Sequence, residues 1–225
     1  MSELTDVPMS GTAASAMDTI YRHQRFIYDL TRRPYLFGRD ELIAELNPPP
    51  GGTVLEMGCG TARNLLCAAR RYPHARFYGV DVSEEMLKTA RTSIEHSPAR
   101  GTIRVAQADA TVFCPVSLFG LDAVDRIFIS YALSMIPAWK AVLERATSQL
   151  AADGTLHVVD FGTMETMPDL AAHAMRAWLA RFSVTPRLEL EQAISEAARR
   201  AGRTAGFWQG RLNYAAHARI SPKLS

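Results

Sequence analysis

The stretch VLEMGCGTARNL, residues 54–65, decides how the rest of the chain is read. A short apolar run leads into Gly58 and Gly60, one residue apart, and a helix-like segment follows. Strand, glycine turn and helix in that order open a nucleotide-binding half of a doubly wound α/β sheet. A dinucleotide fingerprint would place its third glycine at position 63 for close helix–strand packing, but Arg63 stands there. An arginine cannot serve that packing, so a dinucleotide fits poorly. No lysine and hydroxyl residue follow the glycines, which excludes a Walker loop. Glu56, just ahead of the turn, would repel a pyrophosphate and attract a cation.

Outward from the turn the chain alternates strand and helix. Strands are expected at 53–58, 75–81, 102–109, 123–130 and 154–162, with helices at 61–71, 83–94 and 137–150. Ser83 is the expected cap of the second of these helices. Such alternation means a parallel sheet with helices on both faces. Helical stretches near 168–182 and 189–201 then lead to TAGFWQG and LNYAAHARI, which read as a strand pair closing the sheet antiparallel. On the N-terminal side, 18–32 has apolar residues at helical spacing behind Asp18. A second short helix, 39–46, stops at NPPPGG because consecutive prolines supply no backbone donors. The chain thus divides into a leader, 1–17, expected to be flexible, and one domain, 18–225. Within it, 18–47 forms an N-terminal helical lid, 51–162 the cofactor-binding core, and 163–225 the acceptor-side helices and closing strands.

The ligand that suits this turn carries positive charge and no phosphate. S-adenosylmethionine has a sulfonium and an ammonium, and Gly58, Cys59 and Gly60 let the backbone approach it closely. Two further carboxylates complete the pattern. Asp81 ends the second strand, where a carboxylate accepts both ribose hydroxyls. Asp109 ends the third, placed to accept from the adenine amino group, with the Ala108 and Ala110 backbone beside it. Val82, Met86 and Ser130 fill out the candidate cofactor set. Cys59 inside the turn is a spacer, since no histidine partner lies in sequence reach.

VLEMGCGTARNL, FYGVDVSEEMLKTAR, VAQADA and the run from DRIFISYALSM to LHVVDFG resemble the successive motifs of class I S-adenosylmethionine-dependent methyltransferases over about 50–162. The resemblance implies a Rossmann-like, seven-stranded, mostly parallel sheet with the last strand antiparallel. The chain departs from the family pattern at Ala62, where many members carry a third glycine. A slightly tighter turn is expected there. The strand-four end, SYALSM, lacks the Asn/Asp-Pro-Pro-Tyr box of nucleic-acid amine methyltransferases, so no nucleic-acid partner is expected.

The outer segments YRHQRFIYDLTRRPYLFGRDELI (21–43), FSVTPRLEL and NYAAHARI are similar to those of bacterial betaine-lipid N-methyltransferases, which trimethylate the amine of diacylglyceryl-homoserine. The acceptor this implies is an amine-headed lipid, methylated by in-line displacement at the sulfonium methyl. Tyr21, Tyr28 and Tyr35 are candidates to face the sulfonium or the amine by cation–π attraction. Arg32, Arg33 and Arg39 are candidates to pair with a carboxylate on the cofactor or on homoserine; Tyr28 and Arg33 are counted with the cofactor set. If a general base exists, the candidates are Tyr131, after strand four, Asp160, near the end of strand five, and His157, which reads more simply as a core histidine. A quinone-precursor C- or O-methyltransferase and a non-catalytic cofactor-binding partner are the alternatives.

The bulk numbers agree with one soluble domain. The 225 residues are 48% hydrophobic and 21% charged with a net charge of +2, which points to no polyanionic partner. No apolar run approaches the roughly 20 residues of a membrane span. Three cysteines without metal-like spacing suit a reduced, cytoplasmic setting. After Glu196 no acidic residue remains, while Arg199, Arg200, Arg203, Arg211, Arg219 and Lys223 follow. Arginines also crowd residues 22–39. Both basic ends favour peripheral contact with an anionic membrane surface, the inner one if the chain is cytoplasmic. The sequence leaves the oligomeric state open.

Overall fold

The computed structural model describes residues 36–223. The leader 1–17, the helix expected over 18–32, and Tyr21, Tyr28, Arg32, Arg33 and Tyr35 lie outside the described residues.

Seven strands form one sheet: β1 (Thr53–Met57), β2 (Arg76–Asp81), β3 (Ile103–Gln107), β4 (Val124–Ser130), β5 (Leu150–Phe161), β6 (Thr204–Gln209) and β7 (Ala215–Ser221). Their order is β3-β2-β1-β4-β5-β7-β6. The first five pair in parallel. β7 inserts between β5 and β6, antiparallel to both. The strand order reverses between β1 and β4, so a ligand crevice lies beyond their carboxyl ends.

Among the described residues seven helices cover the faces: α1 (Arg39–Glu45), α2 (Arg63–Arg71), α3 (Glu84–Glu95), α4 (Pro115–Phe119), α5 (Trp139–Ser148), α6 (Asp169–Ala180) and α7 (Leu190–Arg200). α1 ends before Pro48 as the prolines dictate. Ser83 caps α3, its hydroxyl accepting from Met86 N at 3.3 Å. α4 was not expected, although Pro115 in its first turn and the left-handed Gly120 after it are the ordinary start and stop signals. β5 begins at Leu150, four residues earlier than its apolar run, because its pairing with β4 takes a register shift between Val124 and Arg126.

Strand alternation builds a core on each face. Val54, Phe77, Phe128 and Val159 pack with Leu42 and Ile43 of α1, Leu65 of α2 and Leu87 of α3. Leu55, Met57, Ile127, Ile129 and Val158 pack with Val142 and Leu143 of α5 and Ile194 of α7. Glu56 lies on the first face, two residues from Val54, and is only 1% exposed. Among the described residues no helix is long and apolar enough to cross a membrane.

Candidate active site

The glycine turn is bound to β2. Gly58 N and Cys59 N both donate to Val80 O, at 2.8 and 3.0 Å, and Gly60 N donates to Asp81 Oδ2 at 2.8 Å. Gly58 has φ 76°, and a Cβ there would come within 2.7 Å of Ala132 Cβ. Under the turn, Gly79 of β2 leaves room for Cys59, whose Sγ would stand 2.8 Å from a Cβ at that position. The Cys59 thiol is buried, and burial pushes its pKa up, so it is an inert spacer. The third-glycine position is a left-handed alanine. Ala62 has φ 62° and ψ 19°, is fully buried, and starts α2. The turn keeps the glycine conformation and places a methyl group in it.

Glu56 Oε1 accepts from Asn64 Nδ2 at 2.8 Å. Burial pushes the carboxyl up to about 8, with the neighbouring Asp81 charge acting in the same direction and Asn64 and Arg39 acting against it. Glu56 Oε2, Asn64 Oδ1, Arg63 Nη1 and Ser130 Oγ are buried without hydrogen-bond partners. Buried polar atoms are nearly always paired, so four orphans around the carboxyl ends of β1 and β4 are the signature of a polar ligand.

Asp81 Oδ1 accepts from Ser83 N at 2.9 Å, and burial raises its pKa. Its carboxylate therefore ties the turn and the α3 cap together at the place expected for the ribose. Val82, exposed beside it, has its carbonyl held by Gln107 Nε2 at 2.9 Å, while Met86 is buried. Ala108 N donates to Asp81 O, which brings the β2 and β3 ends side by side. Asp109 is exposed, with Oδ1 accepting from Thr111 N and Thr111 Oγ1, and Ala110 is buried behind it. The structure thus brings together Glu56, Gly58, Cys59, Gly60, Asp81, Val82, Met86, Ala108, Asp109, Ala110 and Ser130 along one edge of the sheet. The residues present fit S-adenosylmethionine: orphaned acceptors at β1 suit its cation, and carboxylates at β2 and β3 suit its adenosine.

The base candidates have other occupations. Tyr131 follows β4 in a left-handed conformation, φ 55°, and is 1% exposed. Its hydroxyl donates to Phe37 O at 2.6 Å, and burial pushes its pKa up. Asp160 is fully buried; it accepts from Ser134 N at 3.0 Å and Phe161 N at 2.8 Å, and burial raises its pKa. Both carboxylate oxygens thus accept from backbone N–H groups. His157 pairs Nε2 with Thr155 Oγ1 at 2.9 Å in the core, where burial lowers its pKa to about 3.

Sequence reasoning missed Asn64, Gly79 and Arg187. Arg187 donates to Leu133 O and to Ile136 O, both at 2.9 Å, and lies over the Trp139 ring. No local pattern announces it. Asn64 had a signal, an amide in the first turn of a helix, eight residues past a strand-end acid.

The family profile described as a methyltransferase domain matches residues 49–206. The trans-aconitate 2-methyltransferase of Azoarcus sp. (strain BH72) is 28% identical over 118 residues, covering 52% of this chain and 42% of that protein. The ubiquinone/menaquinone biosynthesis C-methyltransferase UbiE of Syntrophotalea carbinolica is 30% identical over 149 residues, covering 64% and 60%. The chain therefore spans less than two thirds of either relative. Among solved structures, the mitomycin 7-O-methyltransferase MmcR superposes with a TM-score of 0.72 at 14% identity, over 95% of this chain and 62% of that one. From its sheet order, its glycine turn and the extent of the profile match, the chain belongs to the methyltransferase domain family, whose members depend on S-adenosylmethionine.

Proposed function

We propose that this chain methylates the amine of a lipid headgroup, of the diacylglyceryl-homoserine kind. The observation that carries the reading is the state of the strand ends beside the transfer position. Among the described residues, Tyr131, Asp160 and His157 are each committed to a protein partner and buried. An acceptor that needs a base to become nucleophilic finds none of the three free. An amine needs only to be neutral, and exclusion of water favours its neutral form. When bound, the cofactor supplies a methyl group already activated by the sulfonium. The chain's residues then hold it by Glu56 and Asp81 and orient it, and proximity does the rest. A lipid acceptor is supported by α6, of whose residues only Ala172 and Leu179 are buried. Leu170 is 83% exposed, and Leu188 on the following loop is 71% exposed.

A second reading has support from the relatives, which are named for a small tricarboxylic acid and for quinone precursors. A carboxylate acceptor shares with an amine the property of needing no base. The test offers the chain labelled cofactor with vesicles of an amine-headed lipid extract, with trans-aconitate, and with a phenolic quinone precursor. Label on the lipid, with a mass gain of one methylene per turnover, is the expected result. Label on the acid or the phenol, with none on the lipid, would replace the reading by the second one.

A further inference from the structure

We infer that the free edge of β6 is the contact through which two copies of this chain pair, strand to strand, about a two-fold axis through Phe207. β6 ends the sheet, and among the described residues no strand lies beyond it. Gly210 N donates to Ala215 O at 2.7 Å, just past the register pair of Gln209 and Ala216. An antiparallel ladder bonds every second residue to a given neighbour. Trp208, Gly206 and Thr204 therefore bond to β7, while Ala205, Phe207 and Gln209 aim their N–H and C=O groups outward. An open row of this kind is a template for another strand, and proteins usually guard it with charge, proline or a bulge. The opposite edge strand, β3, carries the exposed Arg104. Thr204–Gln209, TAGFWQ, has no charge, no proline and an unbroken register with β7.

The side chains say which strand fits. Trp208 and Gly206 share one face of β6. The Trp208 ring stacks on His217 and stays 39% exposed. No atom lies within 4 Å of where a Cβ on Gly206 would stand. A knob and a hole thus stand two residues apart on one edge. The axis that sets Phe207 opposite its own copy sets Trp208 opposite Gly206 of the second copy, in both directions at once. An aromatic ring across from an edge glycine covers the backbone that the glycine leaves bare. Arg219 is the register partner of Gly206 on β7, so the arriving indole lands beside a cation. The same axis sets Ala205 opposite Gln209. The outward groups of all three residues then fall into bonded pairs, with about six hydrogen bonds in all. An uncharged edge sets no like charges face to face, so a second copy is not repelled. The surface is self-complementary, as a two-fold contact requires. The two sheets join into one, with their ligand crevices at opposite ends.

Sedimentation equilibrium of the full chain tests this, with the parent expected as a dimer at about 50 µM. Ala205→Pro removes an N–H that bonds nothing within one copy. Gly206→Leu fills the hole, where its own chain leaves room. Each should raise the dimer dissociation constant by about tenfold or more, while circular dichroism shows the monomer still folded. A chain carrying both Gly206→Cys and Trp208→Cys should form disulfide-linked dimers on mild oxidation, beyond those the parent forms through its exposed Cys114. Opposed residues of a pair not bonded through the backbone stand close enough for that bridge. A monomeric parent overturns the inference. So does a dimer that Ala205→Pro and Gly206→Leu leave intact, or one that the paired cysteines do not link, since either places the contact elsewhere. An Ala205→Pro chain that fails to fold would show that the Ala205 N–H faces β7, and would overturn the register.

Discussion

Glu56 meets opposing demands. In the free chain, burial keeps it protonated up to about pH 8. A bound ammonium favours the ionised form, so binding expels a proton. Affinity for S-adenosylhomocysteine should therefore rise with pH, by up to about tenfold per unit below pH 8, and level off above it. Glu56→Gln should flatten that slope and weaken binding at pH 8. The same shift has a consequence for folding. The unfolded carboxyl titrates near its ordinary value of 4.5, the folded one near 8, so its contribution to stability is fullest below 4.5 and is lost as pH rises toward 8. Ligand-free Glu56→Gln should accordingly be more stable than the parent at pH 8, by about 1–3 kcal/mol in urea titration, with the gap closing toward pH 5. Asp81 is shifted in the same direction and stays in both chains, so the comparison isolates Glu56. Ala62 stands in a conformation that L-residues avoid. Ala62→Gly should stabilise the chain by about 1 kcal/mol, read by the same titration, and leave cofactor affinity in place.

At the scale of elements, the 3-10 turn after β4, Leu133–Met135, is held from both ends. Asp160 of β5 takes the Ser134 N–H, and Arg187, from the loop between α6 and α7, takes the Leu133 and Ile136 carbonyls. Thr185 N adds a bond to Ser134 O at 2.9 Å. An anion on the donor side and a cation on the acceptor side fix the turn that borders the transfer position. Arg187→Leu should cost about 1–3 kcal/mol by leaving carbonyls unpaired. Asp160→Asn should cost a similar amount, since half of its amide cannot accept. Both variants should lower the melting temperature while keeping S-adenosylhomocysteine affinity within about twofold, because Glu56 and Asp81 are untouched. A lost cofactor affinity in either would mean the turn contributes to the cofactor site itself.

Across the described residues, five of the seven left-handed non-glycine residues stand at one end of the sheet, Asn47 before β1 and Ser183 after α6 being the other two. Ala62 follows β1, Tyr131 follows β4, Met164 follows β5, and Leu212 and Asn213 sit in the hairpin before β7. Strained backbone of this kind marks functional ends, where loops are shaped by a ligand rather than by local preference. The apolar exposure of Leu170 and Leu188 belongs to the loops and helices that follow β5. On the lipid reading, Leu170→Asp with Leu188→Asp should leave the melting temperature unchanged, both side chains being exposed. It should reduce the partition onto vesicles of amine-headed and anionic lipid, read by co-sedimentation, by about a hundredfold or more, the loss of two buried leucines. Unchanged sedimentation would count against this face as the lipid contact.

The order of elements around the glycine turn was legible because it rests on local physics: apolar period, glycine and proline, and a capping serine. The carboxylates at the ends of β1, β2 and β3 were legible because parallel sheets put ligands at their carboxyl ends. The partners of the base candidates were not. Tyr131 meets a carbonyl 94 residues away, Asp160 an amide 26 away, and Arg187 a carbonyl 54 away. The insertion of β7 between β5 and β6 likewise joins segments that no local pattern links. The sequence alone determined a glycine turn for a cationic nucleoside, because backbone conformation and charge there are local properties. Only the tertiary structure decided which side chains are spent on holding the fold and which remain for a ligand, because hydrogen-bond satisfaction and burial are set by contacts across the chain.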